Sequence, residues 1–265
     1  MCKKSKPRID MIDNFRGFAM MYVIFIHCLH WIDFFPDTRT LFFIEMPLFF
    51  SISGMALYFS PTENLIHFYK ARLKRILFPY WRCILLYCAL NAIFFVRLDA
   101  EYSPLELLLS WLNPFTDPIS IVSYLENAMW FVPVYIGIIV IFPFLRRFIQ
   151  KFAAPLSSLP PALLAGANFC FTFYLDVPDL LQKVLFYAFW VYFGLYYMKY
   201  IHGMTAGKKL KIYLPFMIAG TLGFIYIVSG EFADVRGQII GLDMQENKFP
   251  PNFAFFLYEY IITII

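Results

Sequence analysis

Four ionisable side chains interrupt an otherwise apolar stretch near the N-terminus: Asp13, Arg16, His27 and His30. On an α-helix, the eleven positions from Arg16 to His27 span about 16 Å along the axis and turn the side-chain direction by only about 20°. Asp13 lies three positions before Arg16, and His30 lies three positions after His27, so each pair are neighbours on the helix surface. The spacing predicts one polar stripe along this helix.

The two ends of this stripe suit different chemistry. Arginine binds anionic oxygens through a fixed fork of donors, and histidine exchanges a proton near neutral pH because its ordinary pKa is about 6.5. Arg16 is equally typical of a positive anchor at a membrane boundary, and His30 of an interfacial residue. His27 is the stronger candidate for proton transfer, because an ionisable group deep in an apolar segment requires a cavity or a partner.

A second apolar stretch, LFFIEMPLFFSISGMALYFS, contains a further carboxylate, Glu45, two residues before Pro47. An unpaired carboxylate in lipid is unfavourable, so Glu45 calls for a basic neighbour, and His27 and Arg82 are both candidates. The Ser53-Gly54 pair that follows is typical of a site where two membrane helices approach closely.

The composition requires that these side chains be held by membrane helices. Of the 265 residues, 61% are hydrophobic and only 15% are charged, whereas soluble domains average about 25% charged residues. Apolar runs of about twenty residues match the thickness of a bilayer core. We predict seven spans and a shorter final apolar run: 17–35, 41–60, 77–96, 129–148, 156–175, 180–199, 212–229 and 252–265.

Basic residues favour alternate loops by about three to one, which predicts a cytoplasmic N-terminus. The basic segment 64–76 is expected to lie at the cytoplasmic interface as an amphipathic helix, and part of the segment 98–127 at the outer one. The apolar run after the N-terminal lysines has no small-residue cleavage site, so a signal peptide is not expected. The cysteines lack metal-ligand spacing, and no metal site is predicted.

Five segments resemble the membrane-bound acyltransferase-3 family, in that family's order. IDNFRGFAMMYVIFIH resembles its opening helix, and EMPLFFSISGM its second-helix signature. FYKARLKRILFPYW is similar to its Arg-x-x-Arg element followed by proline. NAMWFVPVYI, which contains Trp130, and KFPPNFAFF resemble later segments. The resemblance covers most of the chain.

The resemblance implies an all-α, polytopic membrane enzyme of about ten helices that acylates a sugar hydroxyl of a cell-envelope polysaccharide or glycolipid. The donor would be a cytoplasmic acyl-CoA, usually acetyl-CoA, used as a substrate, and no bound cofactor is expected. Residues 1–265 would form a single transmembrane domain in the cell (inner) membrane. Because the last apolar run is short, we expect about seven complete helices and a truncated final one, with the family's C-terminal helices missing.

The same resemblance implies the site residues. His27 would be the catalytic base or, less simply, a transient acyl carrier. Glu45 departs from the family pattern, and it would be a catalytic partner that holds His27, a substrate contact or a peculiarity of this lineage. The CoA phosphates would be bound by Arg16, Arg72 and Arg75. Supporting positions would be Asp13, Ser53, Gly54 and Trp130.

Two other functions fit parts of this pattern. A transporter of small polar solutes could use the intramembrane charges as a proton relay, although the chain has no matched pair of interrupted helices in two halves. An inactive, truncated acyltransferase paralogue is the other alternative. Transfer of labelled acetyl from acetyl-CoA would separate the enzyme from both.

Overall fold

The computed structural model describes residues 10–31, 45–60, 64–93, 109–110, 112–115 and 129–264. Within these ranges the regular structure is helical, and only two isolated β-bridges occur, at Ala233–Ile239 and Lys248–Pro251. The helices are α1 Asp10–Trp31, α2 Glu45–Tyr58, α3 Leu65–Ile93, α4 Phe131–Lys151, α5 Ala154–Ser157, α6 Leu159–Phe173, α7 Asp179–Tyr196, α8 Ala206–Ser229, α9 Met244–Asn247 and α10 Phe253–Ile264. A π-helical turn, Tyr197–Ile201, extends α7.

Three segments in the described part of the chain are long and apolar enough to cross a membrane: Phe131–Lys151, Ala154–Phe173 and Ala206–Ser229. They agree with three of the predicted spans to within six residues at each end, and α1, α2 and α7 lie on three more. The all-helical class is therefore confirmed for the described residues, and three of their helical segments are suited to cross a membrane. The total of seven spans and the cytoplasmic N-terminus stay predictions.

The helix α3 differs from the prediction. We expected an interfacial helix over 64–76 and a separate span opening near Pro79, but α3 runs from Leu65 to Ile93 without a break and has Pro79 inside it. Proline removes one backbone donor and crowds the carbonyl four residues earlier, which favours a kink but does not end every helix. Here the helix continues because both of its halves pack against other residues.

Residues 61–143 form one compact unit, in which α3 packs against the first part of α4. Tyr80 and Ile84 of α3 share a buried cluster with Val132 and Ile136 of α4. Nearer the start of α3, the rings of Phe68 and Phe142 stack with centroids 5.6 Å apart. The Tyr69 hydroxyl donates a hydrogen bond of 3.1 Å to the Val140 carbonyl. These contacts hold the two helices together on both sides of Pro79.

Residues 1–60 and 144–265 form the second compact unit, in which α7 is the central helix. Ten of the eighteen residues of α7 are buried, including every residue from Phe186 to Tyr192. Helices α2 and α6 pack against α7, α1 packs against α2, and α10 packs against α8 and α6. The core is strongly aromatic, with Phe186 stacked on Phe255 at 5.5 Å between centroids.

A lysine joins the end of α4 to the turn after α7. The ammonium of Lys199 donates to the carbonyl oxygens of Ile149 and, at 3.0 Å, Phe152. The Tyr200 hydroxyl donates to the same Phe152 carbonyl at 2.8 Å. A positive charge at a helix C-terminus interacts favourably with the helix dipole, so Lys199 both caps α4 and fixes α7 beside it.

Candidate functional site

Helix α1 runs without a break through Arg16 and His27. The alignment predicted for these two side chains depends on such a continuous helix. Ile12, Ala19 and Ile26 recur every seven residues, and all three are buried. By helical geometry Arg16 and His27 lie along one flank of this buried face, about 16 Å apart along the axis. Arg16 is exposed and His27 is half-buried. The flank therefore passes from an accessible cation to a partly enclosed imidazole.

The start of α1 is acidic, since Asp10 and Asp13 both lie in its first turn. Carboxylates there interact favourably with the positive end of the helix dipole. Asp13 is half-buried, three residues before Arg16. Asp13 therefore has a structural role at the helix start besides the supporting role that the sequence predicts.

The Ser53-Gly54 pair lies where α2 crosses α7, and the contact there is between backbones. A Cβ added at Gly54 would come within 2.1 Å of the Val191 carbonyl oxygen. A Cβ added at Gly194, on α7, would come within 2.0 Å of the Ser51 carbonyl oxygen. Ser53 is itself buried. Gly54 is thus needed for helix packing, as the small-residue pattern indicates.

Two polar groups on α2 and α7 are buried without a hydrogen-bond partner among the described residues: the Ser51 hydroxyl of α2 and the indole N–H of Trp190, an α7 residue whose ring packs against Phe256 of α10. Buried donors and acceptors are normally paired, because a buried polar group without a hydrogen bond lowers the stability of the fold by about 1–3 kcal/mol. The helix pair that carries the Ser53-Gly54 motif therefore offers unused hydrogen-bonding capacity inside the protein.

The basic candidates Arg72 and Arg75 lie on α3, in the other compact unit. The guanidinium of Arg72 is 5.7 Å from the centre of the Phe68 ring, and the residue is half-buried. Arg75 is exposed. Trp130, which is half-buried, immediately precedes α4 in that unit. Arg82, considered as a partner for Glu45, is exposed with its guanidinium 4.2 Å from the centre of the Phe78 ring.

The segment containing the Pro-Pro pair forms a buried polar network before α10. The Asn252 side chain accepts from the Phe255 N–H at 3.0 Å, as a helix N-cap does, and donates to Asn247 Oδ1 at 2.7 Å. Gln182 of α7 donates to the Pro251 carbonyl at 2.9 Å. The Thr172 hydroxyl accepts from the Phe253 N–H at 2.8 Å. This network fixes the start of α10 against α6 and α7.

A family model described as an acyltransferase domain matches residues 9–265. The chain belongs to the acyltransferase-3 family. The match covers nearly the whole sequence, and the predicted family membership is confirmed. No match was found among curated proteins or among solved structures. The chain is therefore an acyltransferase, and its apolar helices are those of a membrane protein.

Among the described residues of this acyltransferase, Glu259 and Lys248 are buried acidic or basic residues that the sequence analysis did not single out. Glu259 lies within α10 and is fully buried. The signal was present, because Glu259 is the one acidic residue in the apolar run 253–264, and an ionisable residue in such a run is a functional candidate. It was missed because Glu259 lies outside the five segments that carry the family resemblance.

Two predicted residues have side chains outside the described part of this acyltransferase: Glu45 and His30. The backbone of Glu45 is described and begins α2, so this residue lies at a helix terminus. The contact predicted between Glu45 and His27 stays a prediction. Among the described residues, no three metal-ligating side chains come together.

In this acyltransferase, Arg236 of the loop after α8 makes two ion pairs. Arg236 contacts Asp179 at 2.8 Å and Asp176 at 3.1 Å. Partial burial by itself would lower the pKa of Arg236, but the hydrogen bonds to Asp179 and Asp176 raise it. The guanidinium therefore stays charged and ties this loop to the start of α7.

Proposed function

We propose that the protein is a membrane O-acyltransferase that moves an acyl group, for which we propose acetyl, from cytoplasmic acyl-CoA to a sugar hydroxyl of a cell-surface polysaccharide or glycolipid. The observation that carries the proposal is the family match over residues 9–265 in a chain whose α1 has Arg16 and His27 on one flank. The proposed location is the cell (inner) membrane, with the N-terminus in the cytoplasm.

The donor would be recognised by its charge. The CoA part carries several phosphate oxygens, and arginine contacts such groups through two parallel hydrogen bonds. Arg16 and Arg75 are exposed, and Arg72 is half-buried. Each is in the part of its helix that the charge distribution assigns to the cytoplasmic side, where acyl-CoA is found. These three arginines are our proposed CoA ligands.

His27 would perform the proton transfer. As the acceptor hydroxyl oxygen attacks the thioester carbonyl carbon, the imidazole accepts the hydroxyl proton. The carbon–sulfur bond then breaks, and the CoA thiolate receives that proton to leave as a free thiol. Glu45 would hold the imidazolium in position, and Ser53, Gly54, Asp13 and Trp130 would support the site. The products are the acylated sugar and CoA.

Replacing His27 by Ala should lower kcat for acyl transfer by about 10²- to 10⁴-fold, because general-base catalysis contributes a factor of that size. The KM for acyl-CoA should stay within about twofold, since the imidazole is not a proposed CoA ligand. The measurement is transfer of labelled acetyl from acetyl-CoA to envelope glycan by the full chain in membranes. Met21→Ala, at a 65% exposed position of the same helix, is the control. Normal glycan modification by His27→Ala would contradict the assignment.

Replacing Arg75 by Gln should raise the KM for acyl-CoA by about 10- to 100-fold, because a charge-assisted hydrogen bond contributes about 1.5–3 kcal/mol. Lys74→Gln removes the same charge from an adjacent, equally exposed position of α3 and should have little effect. Equal increases in KM for the two variants would mean that Arg75 acts through general charge only.

Movement of a solute into liposomes without any acetyl transfer would favour the transporter instead.

A further inference from the structure

A large apolar groove runs between α6, α7, α8 and α10, within a single compact unit. Its volume is about 1060 Å³. It is lined mainly by aromatic and small apolar side chains, and none of the described residues that line it is charged. On α8 the lining extends from Ile212 to Ile227, about 22 Å along the helix axis. One leaflet of a bilayer core is about 15 Å thick, so the groove is long enough for a lipid tail.

The groove is accessible from the side of the protein. Phe216, Tyr226 and Tyr174 line it and are 56%, 67% and 69% exposed. In a membrane these side chains would face hydrocarbon. A chain from the surrounding lipid can therefore enter laterally, without any helix having to separate.

One end of the groove is positively charged. The lining residues of α8 recur every three or four positions, and the same stripe continues one turn toward the N-terminus to Lys208 and Lys209. Lys208 is exposed. The Lys209 ammonium donates to the Tyr197 hydroxyl at 3.1 Å, which holds it beside the groove end formed by Ile201 and Tyr213.

The first turn of α8 adds to this positive end. The N-cap Thr205 makes no side-chain hydrogen bond to the helix, so the first backbone N–H groups are not capped by it. Uncapped N–H groups at the start of a helix attract anions, and nearby lysines strengthen the attraction. The apolar groove thus ends at a helix start that attracts anions. A lipid with a negative headgroup requires both features.

We propose that this groove binds one molecule of an anionic phospholipid. One acyl chain occupies the apolar groove, and the headgroup phosphate lies at the start of α8 against Lys208 and Lys209. The apolar lining alone would suit any hydrocarbon, and the lysines on the same stripe select a negatively charged headgroup. The proposal does not depend on the acyl-transfer function.

The test uses the full chain in vesicles that contain a photoreactive phosphatidylglycerol with a diazirine in its acyl chain. The comparison probe is phosphatidylcholine with the same chain. We expect cross-links to groove residues such as Phe216 and Phe169, and about fivefold more of them from the anionic probe, since a favourable charge at the membrane surface contributes about that factor. Equal labelling by both probes, or labelling elsewhere on the chain, would overturn the proposal.

Two pairs of variants sharpen the test. Lys208→Gln should lower labelling by the anionic probe about fivefold, whereas Lys211→Gln, on the same turn but away from the stripe, should leave it unchanged. Ala219→Phe puts a ring into the groove and should abolish labelling by both probes. Ile218→Phe, an adjacent exposed position that does not line the groove, should not. Equal effects within either pair would refute a lipid site.

Discussion

Glycines serve opposite purposes in two regions of the same compact unit. Where α2 crosses α7, a Cβ at Gly54 or Gly194 would meet a backbone carbonyl oxygen at 2.1 or 2.0 Å. Where α8 faces α10, a Cβ at Gly220 or Gly223 would meet only side chains, at 3.5 and 3.3 Å. The first pair lies at a backbone contact, and the second pair lines a groove.

The difference shows that a small residue in a membrane helix does not by itself indicate tight packing. Two helices whose backbones touch cannot separate locally without losing the whole contact. The end of a flexible side chain, such as that of Leu257 opposite Gly223, can instead rotate aside. The α2–α7 crossing is therefore rigid, and it holds α1 through α2. The α8–α10 side is adaptable, and it is the side with space for a hydrocarbon chain.

The largest expected effect is that of Gly54→Ala. The added methyl group overlaps the Val191 carbonyl, so α2 and α7 must move apart, and the free energy of unfolding should fall by about 3 kcal/mol, the upper end for overpacked cores. Reversible unfolding of the purified protein in mixed micelles measures this change. The matched control is Gly166→Ala on α6, where an added Cβ would meet no neighbouring side chain or helix within 4 Å. This variant should be neutral or slightly stabilising. If Gly166→Ala lowered the free energy of unfolding as much as Gly54→Ala, the packing argument would be refuted.

A smaller effect is expected at the end of α7. Lys199→Met removes the charge-assisted hydrogen bonds to Ile149 and Phe152 and should lower the free energy of unfolding by about 2 kcal/mol. Lys211→Met, at an exposed lysine of α8, should change it by less than about 0.5 kcal/mol. Similar stabilities for the two variants would mean that the rigid region ends before Lys199.

The smallest effect is expected for Gly223→Ala. Its methyl group would lie 3.3 Å from the end of the Leu257 side chain, which can move by a few tenths of an ångström. That small crowding and the higher helix propensity of alanine should nearly cancel, leaving a net change within about 0.5 kcal/mol. The same unfolding assay measures it. A loss as large as that of Gly54→Ala would show that the two regions do not differ in rigidity.

The helices themselves were largely predictable, because their signal is local. The run 180–199 predicted α7 with its π-helical turn, Asp179 to Ile201, and the run 212–229 predicted most of α8. The prediction that α3 is interrupted near Pro79 was wrong. A proline has a known local cost, but contacts with α4 on both sides of it outweigh that cost, and those contacts are not visible in a local window.

The candidate site was predictable to the same extent. The alignment of Arg16 and His27 follows from their spacing, once the helix is continuous. Glu259 could have been recognised as an acidic residue in an apolar run, but its complete burial required the packing of α10. The proposed roles of Arg72 and Arg75 rest on resemblance, and that of Glu45 rests on the need of a carboxylate in lipid for a basic partner.

The amino-acid sequence by itself determined the membrane class, most helix positions and the direction in which each side chain leaves its helix, because all three depend on composition and on the period of the helix. Only the tertiary structure decided that Gly54 meets Val191, and that small residues on α8 leave a groove open. Both features join residues on helices that are well separated along the chain, and they depend on the complementary shapes of whole helix surfaces, which no local pattern specifies.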